Sequence, residues 1–258
     1  MIPFLSQPTS KQVVDWILES VAVTVGGNLH SLILFGNHAD SAETPIGIGG
    51  PLQILIVLDK VDLPVLQELR DVFAQSRLSQ SVSPMILSAD DLRSSADVFP
   101  ITYMEMKRRH ILLSGKDVLA DIEIRQDHLR LRCEQELKNL SLRLQSALLT
   151  RGTRPTQLLE AMRRGYSAYS RAVRATLVLM DGDENVSDDD LPKIAEAQFQ
   201  LKAGVLARVA ELCAASERGN EVVSAAFQEF LLVVNQTAAH VDALPSGVTV
   251  LTTLDDGE

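Results

Sequence analysis

The stretch Pro51-Leu52-Gln53-Ile54-Leu55-Ile56-Val57-Leu58-Asp59 decides how the first half of this chain folds. The residues from Ile54 to Leu58 form an unbroken run of aliphatic side chains, three of them β-branched. Regular alternation of apolar and polar residues is typical of a strand with one wet face, whereas a continuous run indicates burial on both faces. We therefore predict a strand at this position with both of its faces covered.

Segments on either side of this strand alternate between helix and strand signals. Apolar residues recur at helical spacing at Val13, Ile17 and Val21, before a stop at Gly26-Gly27-Asn28, and again in residues 64–76. A short helix is predicted from about residue 99. Short apolar runs predict further strands at Leu32–Phe35, at Pro84–Leu87 and at Ile111–Leu113. This alternation predicts an α/β or α+β sheet domain, which we assign to residues 1–125.

The second half of the chain carries helix signals almost throughout. Helices are predicted at about residues 127–149, 155–180, 190–217 and 219–242. The first of them places five apolar side chains on one stripe: Cys133, Leu137, Leu140, Leu144 and Leu148. Because each helix needs the others to cover such a stripe, we predict a helical bundle domain over residues 126–245. Residues 246–258 are predicted to be an acidic, flexible tail.

Composition excludes several classes of protein. The 258 residues include 24 Lys and Arg against 34 Asp and Glu, giving a formal net charge of −10. With 46% apolar and 22% charged residues, the chain has the balance of a globular protein and not of a disordered one. An acidic chain repels phosphate backbones, so general nucleic-acid binding is not expected.

Localisation is also predicted from simple features of the sequence. No apolar run approaches the roughly 20 residues that a membrane helix needs, so no membrane association is expected. The start, MIPFLSQPTS, lacks the basic and apolar regions of a signal peptide. Two cysteines, Cys133 and Cys213, are too few for a disulfide framework or a four-ligand zinc site. These features predict a cytoplasmic protein.

One arrangement in the first half resembles a known family. An apolar strand ends at Gly36-Asn37, and 13 residues separate Asn37 from Pro51, where the next strand opens. This resembles the nucleotidyltransferase superfamily, which includes kanamycin nucleotidyltransferase and the minimal bacterial nucleotidyltransferases. In that family a strand ends in Gly-Ser or Gly-Gly, and a second strand opens with Asp-x-Asp after a similar loop. The resemblance covers roughly residues 10–245 and implies an α+β fold: a nucleotidyltransferase-like mixed sheet domain followed by an all-helical bundle domain.

The family's chemistry depends on carboxylates that this sequence lacks. Nucleotidyl transfer uses two metal ions, usually magnesium, and magnesium takes hard oxygen ligands. Aspartates at positions i and i+2 of a strand point the same way, and a third carboxylate comes from a neighbouring strand. In this sequence the paired positions are Pro51 and Gln53, and the third falls near Ser83 or Met85. The resemblance therefore implies a family member without its metal site, with no catalytic residue and no cofactor expected.

The function predicted on this basis is that of an inactive nucleotidyltransferase-fold protein, a pseudoenzyme that binds a nucleotide or a partner protein. Gly36, Asn37 and His38 are the candidate phosphate-binding remnant. Arg164 and Arg171, near one face of the helix over residues 155–180, are the candidate cations for an anionic ligand. The predicted alternatives to a nucleotide as the bound species are a partner protein and a second copy of the chain in a homo-oligomer.

Two alternatives stay open at this point. An active transferase would use magnesium with ATP or another nucleoside triphosphate, bound by Asp40, Glu43, Asp90 or Asp91. Asp59 shares the face of Gln53 but lies roughly 20 Å further along an extended strand, too far to serve the same site. The second alternative is an interaction module without any ligand. The basic run Lys107-Arg108-Arg109-His110 is either a phosphate or acidic-partner site or the exposed end of a helix.

Overall fold

A computed structural model describes residues 9–39, 51–74, 82–152, 154–180, 182, 186–214, 220–245 and 250–251. Contacts between Cα atoms divide the chain into two compact units, Met1–Glu123 and Ile124–Glu258. A four-stranded mixed sheet lies in the first unit, and long helices make up most of the second. The predicted α+β class is confirmed at this level.

The first unit contains four helices and four strands in its described residues. Along the chain they are α1 (Ser10–Val25), β1 (Leu29–Phe35), β2 (Leu52–Leu58), α2 (Leu63–Phe73), β3 (Val82–Ser88), α3 (Ala89–Ser94), α4 (Pro100–Arg108) and β4 (His110–Gly115). Short 3₁₀ turns precede and follow β1. The predicted strands are all present, and α3 is a helix that the apolar pattern did not indicate.

The order of strands in the sheet is β3-β2-β1-β4. Strand β1 runs antiparallel to both β2 and β4, whereas β2 and β3 run parallel. Parallel pairing requires a crossover, and α2 lies in that crossover. Pro84 is tolerated because β3 is an edge strand, where a missing N–H breaks no ladder on the outer side.

Strand β2 is covered on both faces, as its apolar run predicted. One face packs into a cluster with residues of α1 and α2, including Ile17, Ile54 and Leu69, each at most 1% exposed. On the opposite face Leu55 and Val57 are fully buried as well. Polar side chains are therefore confined to the two ends of this strand, which is where chemistry has to be sought.

The second unit is built mainly of helices. Its elements are β5 (Ile124–Arg125), α5 (Gln126–Arg151), α6 (Pro155–Leu179), α7 (Leu191–Gln198), α8 (Val205–Ala214), α9 (Asn220–Asp242) and β6 (Val250–Leu251). Helices α5, α6 and α9 pack on one another, and α8 packs against α6 and α9. The predicted stripe of α5 is buried from Cys133 to Leu144.

Aromatic and hydroxyl groups join α6 to α9 inside this unit. The ring of Tyr169 meets that of Phe230 edge-on, with centroids 5.6 Å apart. The Tyr169 hydroxyl forms a 2.9 Å hydrogen bond with that of Thr237, so the buried phenol is satisfied. Burial raises the pKa of Tyr169 well above its usual range.

One predicted helix is in fact two. The expected helix at 190–217 is divided into α7 and α8 by residues 199–204. Gln200 and Gly204 both have positive φ, which no helical residue adopts. Buried Glu196 then caps the new start: its carboxylate accepts 2.7 Å hydrogen bonds from the backbone N–H groups of Gly204 and Leu206. The apolar period continues across this break, which is why the spacing alone suggested one helix.

Two residues of the predicted tail belong to a strand. Val250 and Leu251 pair antiparallel with Arg125 and Ile124. The other residues of the segment 246–258 lie outside the described part of the chain.

One described helix is long and apolar enough to cross a membrane by length and composition alone. This is α9 over Glu221–Asp242, with a mean hydropathy of 1.2. It buries Phe227, Phe230 and Val234, as a helix in a protein core does. Core helices pass the same test, so the feature is weak evidence for a membrane span.

We expect the Glu196 carboxylate to be a main support of the α7–α8 corner. Replacing Glu196 with Gln leaves one acceptor oxygen for two N–H groups, and replacing it with Ala leaves none. The expected loss of unfolding free energy is about 1–3 kcal/mol, larger for Ala than for Gln. Urea unfolding followed by circular dichroism measures it. Glu211→Gln on exposed α8 surface is the control, and equal losses in the two Gln variants would contradict the capping role.

Candidate functional site

Polar groups gather at the edge of the sheet where β1 ends and where β2 and β3 begin. Gly36 follows β1 directly with φ +77°, a left-handed conformation that favours glycine. Its N–H donates a 3.0 Å hydrogen bond to the carbonyl oxygen of Arg109, which precedes β4. The chain thus turns sharply away from the sheet at this point.

Gln53 brings the three strands of this edge together. It pairs with Phe35 on β1 and with Ser83 on β3. Partners in a ladder point to the same side of the sheet, so the side chains of Gln53 and Ser83 share one face. A Cβ atom at Gly36 would lie 2.1 Å from the Gln53 amide oxygen. The backbone angle therefore favours glycine at position 36, and a methyl group there would displace the Gln53 amide.

The three positions predicted to correspond to the metal-binding carboxylates lie at this same edge. Pro51 is exposed just before β2, Gln53 is half-buried, and Ser83 begins β3 beside it. Met85 pairs with Leu55, one step further into the sheet, so Ser83 is the nearer of the two third positions considered. A proline, an amide and a hydroxyl give no negative charge to hold Mg²⁺, so this donor set does not fit the family's metal pair. No group of three or more His, Cys, Asp or Glu suited to a metal occurs in the described residues.

The acidic residues considered as alternative metal ligands do not lie at the Gln53 end of the sheet, as far as the structure describes them. Asp59 is at the opposite end of β2, with Oδ1 3.0 Å from His30 Nδ1. Asp90 and Asp91 follow β3, also at the far end of the sheet from Gln53. Asp91 accepts a 2.6 Å hydrogen bond from Ser88, and Asp90 pairs with Arg93 at 2.6 Å. Asp40 and Glu43 lie outside the described residues.

His38 anchors the turn after Gly36. Its ring is 3% exposed, and Nδ1 lies 3.1 Å from the hydroxyl oxygen of Ser10, the first residue of α1. The turn and the start of α1 are thereby joined across 28 positions of sequence. Asn37 lies in the same 3₁₀ turn, and its side chain is outside the described part. His38 is thus placed to hold the turn in position from the inside.

The basic run Lys107–His110, which begins in the last turn of α4, is not an exposed helix end. All four side chains of Lys107–His110 are partly buried. Lys107 donates a 2.8 Å hydrogen bond to the carbonyl oxygen of Ile122. The ring of His110 lies between the carbonyl oxygen of Lys107 at 3.2 Å and the carboxylate of Asp117 at 3.3 Å. These contacts stabilise the first unit internally.

Arg164 and Arg171 belong to α6 in the second unit. Arg164 forms an ion pair with Glu160, one turn earlier, and both side chains are exposed. Arg171 is exposed on the same side of the helix two turns later. Arg174, three residues on, is buried and donates to the carbonyl oxygen of Val186 and to Asp188. It holds the segment after α6 and is not available to a ligand.

Arg164 lines a groove between α5 and α6 that the sequence did not indicate. The groove has a volume of about 410 Å³. Two arginines of α5, Arg143 and Arg151, line it from the other wall. Their spacing of eight residues places both on one side of α5, and this spacing is the sequence signal from which a basic face of α5 could be predicted. The spacing does not indicate which other helix packs against that face, so the groove itself could not be predicted.

No protein-family model matches this chain, and no curated protein matches it significantly. The resemblance to nucleotidyltransferases is a prediction from the strand-turn-strand pattern of the sequence.

The two cysteines are poor candidates for nucleophiles. Burial raises the pKa of Cys133 to about 12 and that of half-buried Cys213 to about 11. Thiolate is the reactive form, so both thiols are held in the inert state near neutral pH.

We expect iodoacetamide at pH 8 to leave Cys133 unmodified in the native protein and to alkylate it in urea. Mass spectrometry of the peptides measures both. The folded pKa of Cys133 lies above its ordinary value of 9.0, so its contribution to stability is complete below pH 9 and is lost as pH rises toward 12. Fast native alkylation at pH 8 would contradict the burial.

Proposed function

We propose that the first unit is a nucleotidyltransferase-like domain that has lost its metal site, and that the protein acts as a nucleotide-binding or protein-interaction pseudoenzyme. The observation that carries the proposal is the place of Gln53. Its amide lies over the Gly36 turn and beside Ser83, at the meeting point of β1, β2 and β3. The predicted family has its glycine turn and its carboxylates at such a meeting point.

The neutral side chains favour binding without transfer chemistry. Two-metal catalysis needs anionic oxygens that draw divalent ions to the reacting phosphate. An amide and a hydroxyl instead donate and accept hydrogen bonds without charge. A phosphate at this edge would be bound by hydrogen bonds from backbone N–H groups of the turn that follows Gly36 and from the Gln53 amide. Binding of this kind does not require Mg²⁺.

Arg164 and Arg171 remain candidate cations for an anionic ligand, and both belong to the second unit, which we take to be the helical bundle domain. The proposed compartment is the cytoplasm, in keeping with two cysteines that are both unpaired. A partner protein or a second copy of the chain is the proposed alternative to a nucleotide as the bound species.

Isothermal titration with ATP and GTP, each with and without Mg²⁺, tests the proposal. We expect binding whose affinity does not change with Mg²⁺ and no turnover of the nucleotide. Binding that requires Mg²⁺ together with turnover would favour the active transferase, with Asp40 and Glu43 as its remaining candidates. No binding at millimolar nucleotide would favour an interaction module without a ligand.

Alanine substitutions at two glycines, one at the sheet edge and one away from it, test whether the nucleotide binds at the sheet edge. Gly36→Ala places a methyl group against the Gln53 amide, and Gly26→Ala meets no atom within 4 Å although its φ is also positive. Both variants bear a backbone cost of roughly 1–2 kcal/mol. We expect Gly36→Ala to weaken nucleotide binding at least tenfold and Gly26→Ala to leave it unchanged. Equal affinities in two folded variants would contradict the site.

Introducing carboxylates tests whether positions 51, 53 and 83 correspond to the metal-binding positions of the nucleotidyltransferase family. We expect the triple variant Pro51→Asp, Gln53→Asp and Ser83→Asp to bind Mn²⁺, because Asp residues at these positions would share one face and one end of the sheet. The matched control carries Asn at the same three positions, which preserves size without charge. Electron paramagnetic resonance of free Mn²⁺ measures the binding. A folded Asp variant that binds no more Mn²⁺ than the Asn variant would overturn the assignment of these positions.

A further inference from the structure

The groove between α5 and α6 has the features of a ligand site of its own. It is open on one side and has a volume of about 410 Å³, within the range of small-molecule pockets. Three arginines and one glutamate line it: Arg143 and Arg151 from α5, and Glu160 and Arg164 from α6. The net charge of this lining is positive in a chain whose net charge is −10.

Two of these arginines are not neutralised by the second unit's own acids. Glu160 pairs with Arg164 across one turn of α6. Arg143 and Arg151 form no ion pair with any residue in the described ranges, although α5 elsewhere pairs Arg132 with Glu136 at 2.7 Å. The two lie about 12 Å apart along the helix axis, so their long side chains are able to converge on one anion.

The apolar floor of the groove consists of Ala147 from α5 and Ala161 from α6, which line it next to a tightly packed contact between the two helices. Leu140 and Leu144 of α5 are at most 2% exposed, and Gly165 of α6 packs against both of them. A Cβ atom at Gly165 would lie 3.2 Å from Leu140 and 3.3 Å from Leu144, so the two helices are as close as this packing allows. Glycine inside a helix costs about 1 kcal/mol relative to alanine, which this close approach offsets.

We propose that this groove binds a small organic anion, with its apolar body on the floor formed by Ala147 and Ala161 and a phosphate group between Arg143 and Arg151. Charge complementarity selects the anion, since guanidinium groups bind phosphate through paired N–H donors. The apolar floor selects a ligand with a ring or hydrocarbon body over a bare phosphate ion. The site lies within the second unit and does not rest on the function proposed for the sheet edge.

The probe for this site is 1-naphthyl phosphate, with inorganic phosphate and 1-naphthol as its two halves. We expect fluorescence titration of the full chain to give saturable binding of 1-naphthyl phosphate, at least tenfold tighter than either half. Added salt should weaken it, because a screened ion pair contributes less. Inorganic phosphate binding as tightly as 1-naphthyl phosphate would overturn the role of the apolar floor. Absence of saturable binding at low millimolar probe would overturn the site.

Variants assign the binding to the groove. Arg143→Gln and Arg151→Gln should each weaken binding of 1-naphthyl phosphate by about tenfold or more, the usual effect of losing a hydrogen bond to a charged group. Arg132→Gln is the matched control, since it removes an arginine from α5 that pairs with Glu136 and does not line the groove. Unchanged affinity in both groove variants, or an equal loss in the control, would contradict the proposal.

A second type of variant separates this site from the sheet edge and from folding effects. Ala161→Leu fills the groove from α6 without changing its charge and should abolish binding while circular dichroism stays native. Gly36→Ala, which alters only the sheet edge, should bind 1-naphthyl phosphate like the unmodified protein. Loss of binding in Gly36→Ala would instead assign the probe to the first unit.

Discussion

The pairing of β2 on both of its edges and its burial on both of its faces is the constraint on which the first unit depends. Inside this strand every side chain must be apolar, since a polar group there would find no water and no partner. Polar residues are left only at its two ends, Gln53 at one and Asp59 at the other. The antiparallel β1 and the parallel β3 then decide which groups meet each end. Gly36 and Ser83 join Gln53, whereas His30 and the residues after β3 lie at the end of Asp59.

The chemistry at the Gln53 end is consistent with that burial. Two or three carboxylates on one face of a half-buried sheet edge repel each other and are stable together only when cations neutralise them. Gln53 and Ser83 have no such requirement, because an amide and a hydroxyl are satisfied by hydrogen bonds alone. A domain that does not use metal ions is therefore more stable with these residues than with aspartates. Glycine at position 36 is favoured in either case, because its backbone angle lies in the left-handed region.

Local sequence patterns predicted most of the helices and strands. The features that they missed depend on contacts between residues distant in sequence. The run Ile54–Leu58 predicted a strand covered on both faces, and the stripe beginning at Cys133 predicted the buried side of α5. The break between α7 and α8 was missed because Glu196, eight residues before Gly204, supplies the cap. The positively charged groove was missed for a similar reason: Arg143 and Arg151 come from one helix, Arg164 from another. Residue spacing predicts which side chains share a face of one helix, but it does not predict which other helix packs against that face.

The acidic character of the chain bears on what kind of anion either site accepts. At physiological ionic strength, charges beyond about 8 Å are largely screened, so a ligand inside the α5–α6 groove is governed by the arginines that line it. A small ligand fits within that distance, and the net charge of −10 has little effect on it. An extended polyanion such as a nucleic acid must also cross surface outside the groove, where acids outnumber bases. Each further phosphate then adds repulsion without a new cation. The proposed groove is therefore expected to favour a compact phosphorylated ligand over a phosphate backbone.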